Sequence, residues 1–319
     1  MSSTDELMRS KVAETNSTER SDAARTGTTN PSDSYDGSQT IYRLMRLATW
    51  GSPLMNLGYF RFRGPLKFLN MFRRLEFAQH QLVMKAAELM GVQGTHRVLD
   101  LACGRGKSSF IIQCLHPEAT VVGVDLLERH TLVAETLYGN TRNLSYATGN
   151  AMQLNFPNES FDRMLCLEAA FHFPDRAKFL SEAFRVLRPG GRLVVVDLAW
   201  NSAAERVHRD EPEMRVVRQA WQWDDLSSVA EYERMAADLG FRVSASHDWS
   251  VHAYRPIQVK LAGLSSLTKS DFGRRLLCRR NPLFRSFSTD DWKSVAAEVA
   301  GHGHVQQYSK YMAFVFQKP

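Results

Sequence analysis

Cysteine is scarce in this chain and badly placed for pairing. The four cysteines, Cys103, Cys114, Cys166 and Cys278, are widely separated and form no C-x-x-C pair, which excludes a disulfide framework and a thiolate zinc cluster and fits a reducing compartment. Also missing are an apolar run of about 18 residues and a basic segment leading into an apolar one, so neither a transmembrane helix nor a signal peptide is predicted. A soluble, cytoplasmic protein is expected. No internal repeat is found. What is present is a chain of 319 residues, 44% hydrophobic, with a formal charge of +6, enough for one large core with insertions. The charge permits an anionic partner without naming one.

Residues 1–38 are dominated by Ser, Thr, Asp, Glu and Asn, cannot offset the entropy of ordering, and are expected to form a disordered tail. Acidic residues Asp5, Glu6, Glu14, Glu19 and Asp22 argue against a transit peptide. From 41 to 74 aromatic and basic residues interleave, the pattern of an amphipathic helix with snorkelling stems or of a lipid or nucleic-acid face. A helix over Leu75 to Met90, stopped by Gly91, follows.

Beyond it, strand and helix patterns alternate. Strands are predicted at Val98–Leu101, Thr120–Val124, Leu144–Ala147, Phe161–Leu167, Arg192–Leu198, Phe241–Ala245 and Tyr311–Phe316, with helices at 107–115, 129–138, 177–187 and 229–239. Repeated β-α units with buried strands mean an α/β, doubly wound, mostly parallel sheet. Two stretches break the rhythm, 201–225 and 247–305, and are expected to be helical excursions over one edge of the sheet.

The chemistry is announced where the first strand, ending Asp100-Leu-Ala-Cys, breaks into Gly104-Arg-Gly106 and opens a helix. Glycines let a backbone approach a ligand, and a helix start offers unpaired N–H groups and a positive dipole end. A dinucleotide fingerprint wants a third glycine where this chain has Ser109. An acid, Asp125, ends the second strand, where it can accept hydrogen bonds from two ribose hydroxyls. Gly149-Asn-Ala-Met152 follows the third.

Taken together these features resemble the class I S-adenosylmethionine-dependent methyltransferases over roughly residues 75 to 245. The resemblance implies a Rossmann-like, seven-stranded doubly wound sheet of the methyltransferase type with helical cap insertions at about 41–74, 201–225 and 247–305 of a domain spanning 39–319. It implies S-adenosylmethionine as cofactor, with Gly104 and Gly106 at the methionine and Asp100 nearby, Asp125 at the ribose, Asn150 and Ala151 at the adenine with Met152 packed on its ring, and Ala102 and Leu126 as further cofactor contacts. Asn150 stands where the family usually has Asp, so its contact is neutral instead of charge-assisted. Asn56-Leu-Gly-Tyr-Phe60 is similar to an upstream motif that closes over the cofactor, which adds Tyr59.

The segment Leu165 to Asp175 lacks the Asn/Asp-Pro-Pro-aromatic tetrad of base methylases. Glu168, His172, Pro174 and Asp175 resemble instead the small-molecule branch: quinone, tocopherol and sterol C-methyltransferases and macrolide or glycolipid O-methyltransferases. His172 is the candidate general base, since its ordinary pKa is near neutrality. Asp197 is expected to orient or assist it, and Glu168 to contact cofactor or a cationic intermediate. Tyr59, Phe60, Phe171, Phe173, Trp200, Trp221 and Trp223 are candidates for an apolar acceptor pocket. The expected reaction is O-methylation of a lipophilic small molecule. C- or N-methylation of a lipid, sterol, quinone or alkaloid-like acceptor, RNA methylation, and a cofactor-binding module without catalysis stay open, although only the basic balance speaks for nucleic acid. No metal is expected: His302 and His304 flank a glycine without a third ligand at useful spacing and are read as an exposed turn. The arginines from Arg274 to Arg285 read as a solvated face or as a contact for an acidic group, a carrier protein or anionic lipid.

Overall fold

A computed structural model describes residues 54, 56–60, 75–280 and 282–319. The expectations for 1–38 and for most of 41–74 lie outside the described residues. Seven strands form one sheet in the order β3-β2-β1-β4-β5-β7-β6. They are β1 (Arg97–Leu101), β2 (Thr120–Asp125), β3 (Leu144–Thr148), β4 (Phe161–Leu167), β5 (Leu187–Trp200), β6 (Arg242–Asp248) and β7 (Ser309–Gln317). The first five run parallel, and β7 enters antiparallel between β5 and β6. The chain order reverses at β1, and in open parallel sheets that reversal leaves a crevice at the carboxyl ends of the strands.

The alternation of side chains explains why the sheet is covered on both faces. On β5 and β7, Val194, Val196, Leu198, Tyr311, Ala313 and Val315 enter one core; Leu193, Val195, Ala199, Met312, Phe314 and Phe316 enter the other. The first core is closed by α1 (Leu75–Met90) and α2 (Lys107–Leu115), and the second by α4 (Arg176–Val186) and α6 (Val229–Asp238). Helix α3 (Glu128–Tyr138) covers β2 and β3. Local signals fix the helix starts. Asp175 caps α4 by accepting from the Lys178 amide at 2.8 Å, and Ser228 and Glu231 form a capping box on α6.

β5 begins earlier than its apolar run suggests. Leu187-Arg-Pro-Gly-Gly191 reads as a helix stop and turn, yet Leu187 pairs with Phe161, and Gly190 and Gly191 exchange backbone hydrogen bonds with Lys318 at 3.0 and 2.9 Å. The turn is kept as an irregularity within the strand: the pairing steps from Phe161–Leu187 to Arg163–Arg192, and Gly190 takes a φ of 76°. The stretches outside the rhythm are helical. The first holds a 3-10 segment (Ala203–Asp210) and α5 (Pro212–Trp221); the second holds α7 (Ser250–Thr268), α8 (Asp271–Arg280), a short turn (Pro282–Ser286) and α9 (Thr289–Tyr308). His302 and His304 lie within α9, not in an exposed turn. His302 is buried against Trp221, with ring centroids 4.5 Å apart, and His304 is bonded to Glu211. Among the described residues, no helix is long and apolar enough to cross a membrane.

Candidate active site

A cavity of about 220 Å³ opens at the carboxyl ends of β1, β2 and β4, bounded by Leu101, Asp125 and Leu167. Its floor is the turn after β1. Ala102 and Gly104 line it with φ of 57° and 55°, and a Cβ on Gly104 would meet nothing within 4 Å. The Gly104 amide donates to Asp125 at 2.8 Å. Asp125 also accepts from the Leu127 amide at 3.0 Å and from His130 Nδ1 at 3.1 Å, so its carboxylate is fixed in the cavity wall by three donors. His130 lines the same wall. It is one residue that sequence reasoning passes over, although its place on the first turn after Asp125 is a local signal.

Two expected cofactor contacts lie one layer back. Asp100 is 1% exposed and does not line the cavity. Its Oδ2 accepts from the hydroxyls of Ser108 and Ser109, each at 2.6 Å, so it points into the start of α2 and presents Ser108 to the cavity. Burial pushes its pKa up to about 6 against the lowering effect of those hydroxyls. Gly106 is required for packing: at φ 80°, a Cβ would stand 2.5 Å from Ala134 Cβ and 2.7 Å from the Tyr146 ring. The helix start it makes, more than the residue itself, faces the crevice.

Leu126, Asn150, Ala151 and Met152 form the wall beyond β2 and β3. Asn150 Oδ1 already accepts from the Met152 amide at 2.9 Å. On the opposite side Glu168, after β4, has φ 49° and bears on the segment far upstream. It accepts from the Leu57 amide at 2.9 Å and from the Tyr311 hydroxyl, and burial pushes its pKa up to about 8. Gln79, fully buried in α1, donates to the carbonyls of Leu54 and Asn56 at 3.1 and 2.7 Å. Leu54, Asn56 and Leu57 therefore line the cavity. Tyr59 does not. After Gly58 (φ 85°) the chain turns, the Tyr59 amide bonds to the Ala78 carbonyl, and its ring stacks on His252 at 4.4 Å and edges against Trp249.

His172 sits on the single 3-10 turn Ala170–His172 and lines the cavity with Phe171, Phe173 and Trp221. Its Nδ1 is 3.2 Å from the Gln222 carbonyl. A carbonyl only accepts, so Nδ1 carries the ring proton and the basic lone pair is on Nε2. Burial lowers the His172 pKa to about 4, keeping the ring neutral. Arg176 ties this turn to the cap by donating to the carbonyls of Phe171 and Asp225. Asp197 does not reach His172 or line the cavity. It lies within β5, on the face bearing Leu193 and Val195, and takes a hydrogen bond from Tyr232. Burial pushes its pKa up to about 6. Trp200 and Trp223 pack on each other at 6.0 Å instead of lining the cavity.

Residues 99–195 match the family model described as a methyltransferase domain. The chain is 28% identical over 207 residues to an O-methyltransferase of Aspergillus sclerotiorum, covering 64% of this chain and 76% of that one. It is 37% identical over 170 residues to a sterol 24-C-methyltransferase of Aspergillus fumigatus, covering 51% of this chain and 44% of that relative. In fold it is similar to a cyclopropane synthase of Mycobacterium tuberculosis, with a TM-score of 0.70 at 18% identity, covering 92% of this chain and 100% of the other. The strand order, the glycine turn held on Asp125 and these likenesses agree: residues 99–195 form a methyltransferase domain, and the chain resembles the class I S-adenosylmethionine-dependent methyltransferases that act on small molecules.

Proposed function

We propose that the chain methylates a hydroxyl oxygen of a lipophilic small-molecule acceptor. The observation that carries this reading is the contact of His172 Nδ1 with the Gln222 carbonyl at 3.2 Å, which assigns the proton to Nδ1 and the basic lone pair to Nε2, in a wall that includes Phe171, Phe173 and Trp221. Such a ring takes the acceptor's hydroxyl proton on Nε2 as the oxygen becomes nucleophilic. The apolar wall excludes water and holds a greasy acceptor in line. The sterol relative keeps carbon methylation as the rival, and a base beside the acceptor site favours oxygen.

The residues present fit the cofactor. Gly104 leaves open room beside Ala102, the start of α2 brings a positive dipole end, and Asp125 is held rigidly enough to accept from ribose hydroxyls. Leu126, Ala151 and Met152 supply apolar contact to the adenine, and Asn150 a polar one. When bound, S-adenosylmethionine supplies an electrophilic sulfonium methyl. Glu168 acts as a positioning residue, holding Leu57 across the cavity, and Asp100 steadies Ser108 beneath it.

Incubating the protein with methyl-labelled cofactor and a lipid-rich extract of the native cell tests the proposal. The expected product is a lipophilic methyl ether. Label on carbon would replace O- by C-methylation, and label only in RNA would overturn the small-molecule acceptor.

A further inference from the structure

Helix α8 buries Gly273 and Leu277, the latter in a cluster with Phe284, Trp292 and Val295 against which Trp221 packs. Its other side is unlike an ordinary solvated face. Phe272, Arg275, Leu276 and Arg279 are all exposed, with Phe272 at 78% and Leu276 at 46%. Their spacing, i, i+3, i+4, i+7, puts them on one stripe, so a phenyl ring and a leucine project outward between two guanidinium groups.

The charge around the stripe has one sign. Among the described side chains from 269 to 285, Lys269, Arg274, Arg275, Arg279 and Arg285 stand against Asp271 alone, and Asp271 pairs with Arg274 at 2.6 Å. Among the described residues, no carboxylate pairs with Arg275, Arg279 or Arg285. The turn Pro282–Ser286 brings Arg285 back so that the three border one surface depression.

We propose that α8 docks the protein on an anionic lipid bilayer. Phe272 and Leu276 enter the boundary between headgroups and acyl chains, while Arg275, Arg279 and Arg285 bind lipid phosphates with their stems along the apolar layer. A lipid interface answers both halves of the stripe. A second copy of the chain would set like charges against each other, and nucleic acid would engage the arginines but leave the apolar pair in water. Trp221 belongs both to the cluster beneath α8 and to the cavity wall, so the docked helix and the active site share a partition. The docking rests on the helix surface and holds whatever atom is methylated.

Flotation of the full chain with vesicles of phosphatidylcholine alone, or mixed with phosphatidylglycerol, tests this. Binding is expected to the anionic vesicles only and to weaken as added salt shortens the screening length. R275E/R279E should lower it by roughly tenfold or more, and Phe272→Ser should also lower it by roughly tenfold, as loss of a buried phenyl predicts. Both variants should keep wild-type cofactor affinity, which reports that they are folded. Equal binding to neutral vesicles, full binding by the charge-reversed variant, or retention on RNA or an acidic protein with vesicles ignored would overturn the proposal.

Discussion

The Glu168 carboxylate accepts a hydrogen bond from the Leu57 amide at 2.9 Å across 111 residues of sequence. Both residues line the cavity, so this bond ties the segment before α1 to the end of β4 across it. Glu168→Ala is expected to leave that amide unsatisfied at a cost of about 1–3 kcal/mol and to weaken cofactor binding. Glu168→Gln keeps an acceptor oxygen and should restore binding. The pH dependence has a definite sign. The folded carboxyl titrates at about 8 and the unfolded one at 4.5, so between them the folded state holds the extra proton. Stability from this group is greatest below pH 4.5 and is lost as pH rises toward 8. Thermal melts across that window should show a shallower decline for Glu168→Gln than for wild type; an unchanged slope would show that Glu168 is not the titrating group.

Gly104 and Gly106 belong to one turn but answer to different constraints. Gly106→Ala drives a methyl to 2.5 Å from Ala134 Cβ, and together with its φ of 80° this should cost roughly 2–4 kcal/mol of stability. Gly104→Ala meets no neighbour and should cost about 1 kcal/mol for its backbone conformation while weakening the cofactor, whose room it takes. Denaturant melts beside cofactor titrations separate the two. Equal loss of stability at both positions would defeat the distinction.

What the sequence made legible was whatever is local or periodic. Apolar runs locate the strands, and the Gly104-Arg-Gly106 turn between β1 and α2 marks the crevice. Asp125 at the end of its strand falls in the cavity wall. Where a side chain points away from the cavity the cause is shared: its direction depends on partners distant in sequence. Asp100 turns inward because Ser108 and Ser109 offer hydroxyls. Tyr59 turns away because Trp249 and His252, from the other end of the chain, receive its ring. Asp197 sits on the sheet face where Tyr232 meets it. The anchoring of Leu54 and Asn56 had one sequence cue, Gln79 as an amide among the apolar residues of α1, since a buried amide must find partners.

Asn150 offers a gain-of-affinity test. Its Oδ1 accepts from the Met152 amide at 2.9 Å and keeps a second lone pair for the adenine amino group. Asn150→Asp keeps the bond to Met152 and turns the neutral acceptor for the adenine amino group into a charged one. Cofactor affinity is expected to rise by about two- to tenfold, the difference between a neutral and a charge-assisted hydrogen bond. Calorimetric titration measures it. A fall in affinity would mean that the Asn150 amide donates to the adenine, reversing the assigned polarity.

His172 carries the most consequential prediction. Its burial sets the pKa near 4, so the ring is neutral and able to accept a proton through the whole physiological range. The acid limb of kcat/KM should therefore fall near pH 4, not at the 6.5 of a solvated imidazole. His172→Ala should lower kcat by on the order of a hundredfold and remove that limb, with cofactor affinity kept because no cofactor contact is assigned to the ring. Gln222 supplies only its carbonyl, so substitutions of its side chain should leave the limb in place. A profile for His172→Ala that retains the wild-type limb and rate would take the proton from another group, and a shared loss of cofactor binding would assign His172 to the cofactor wall instead of the acceptor.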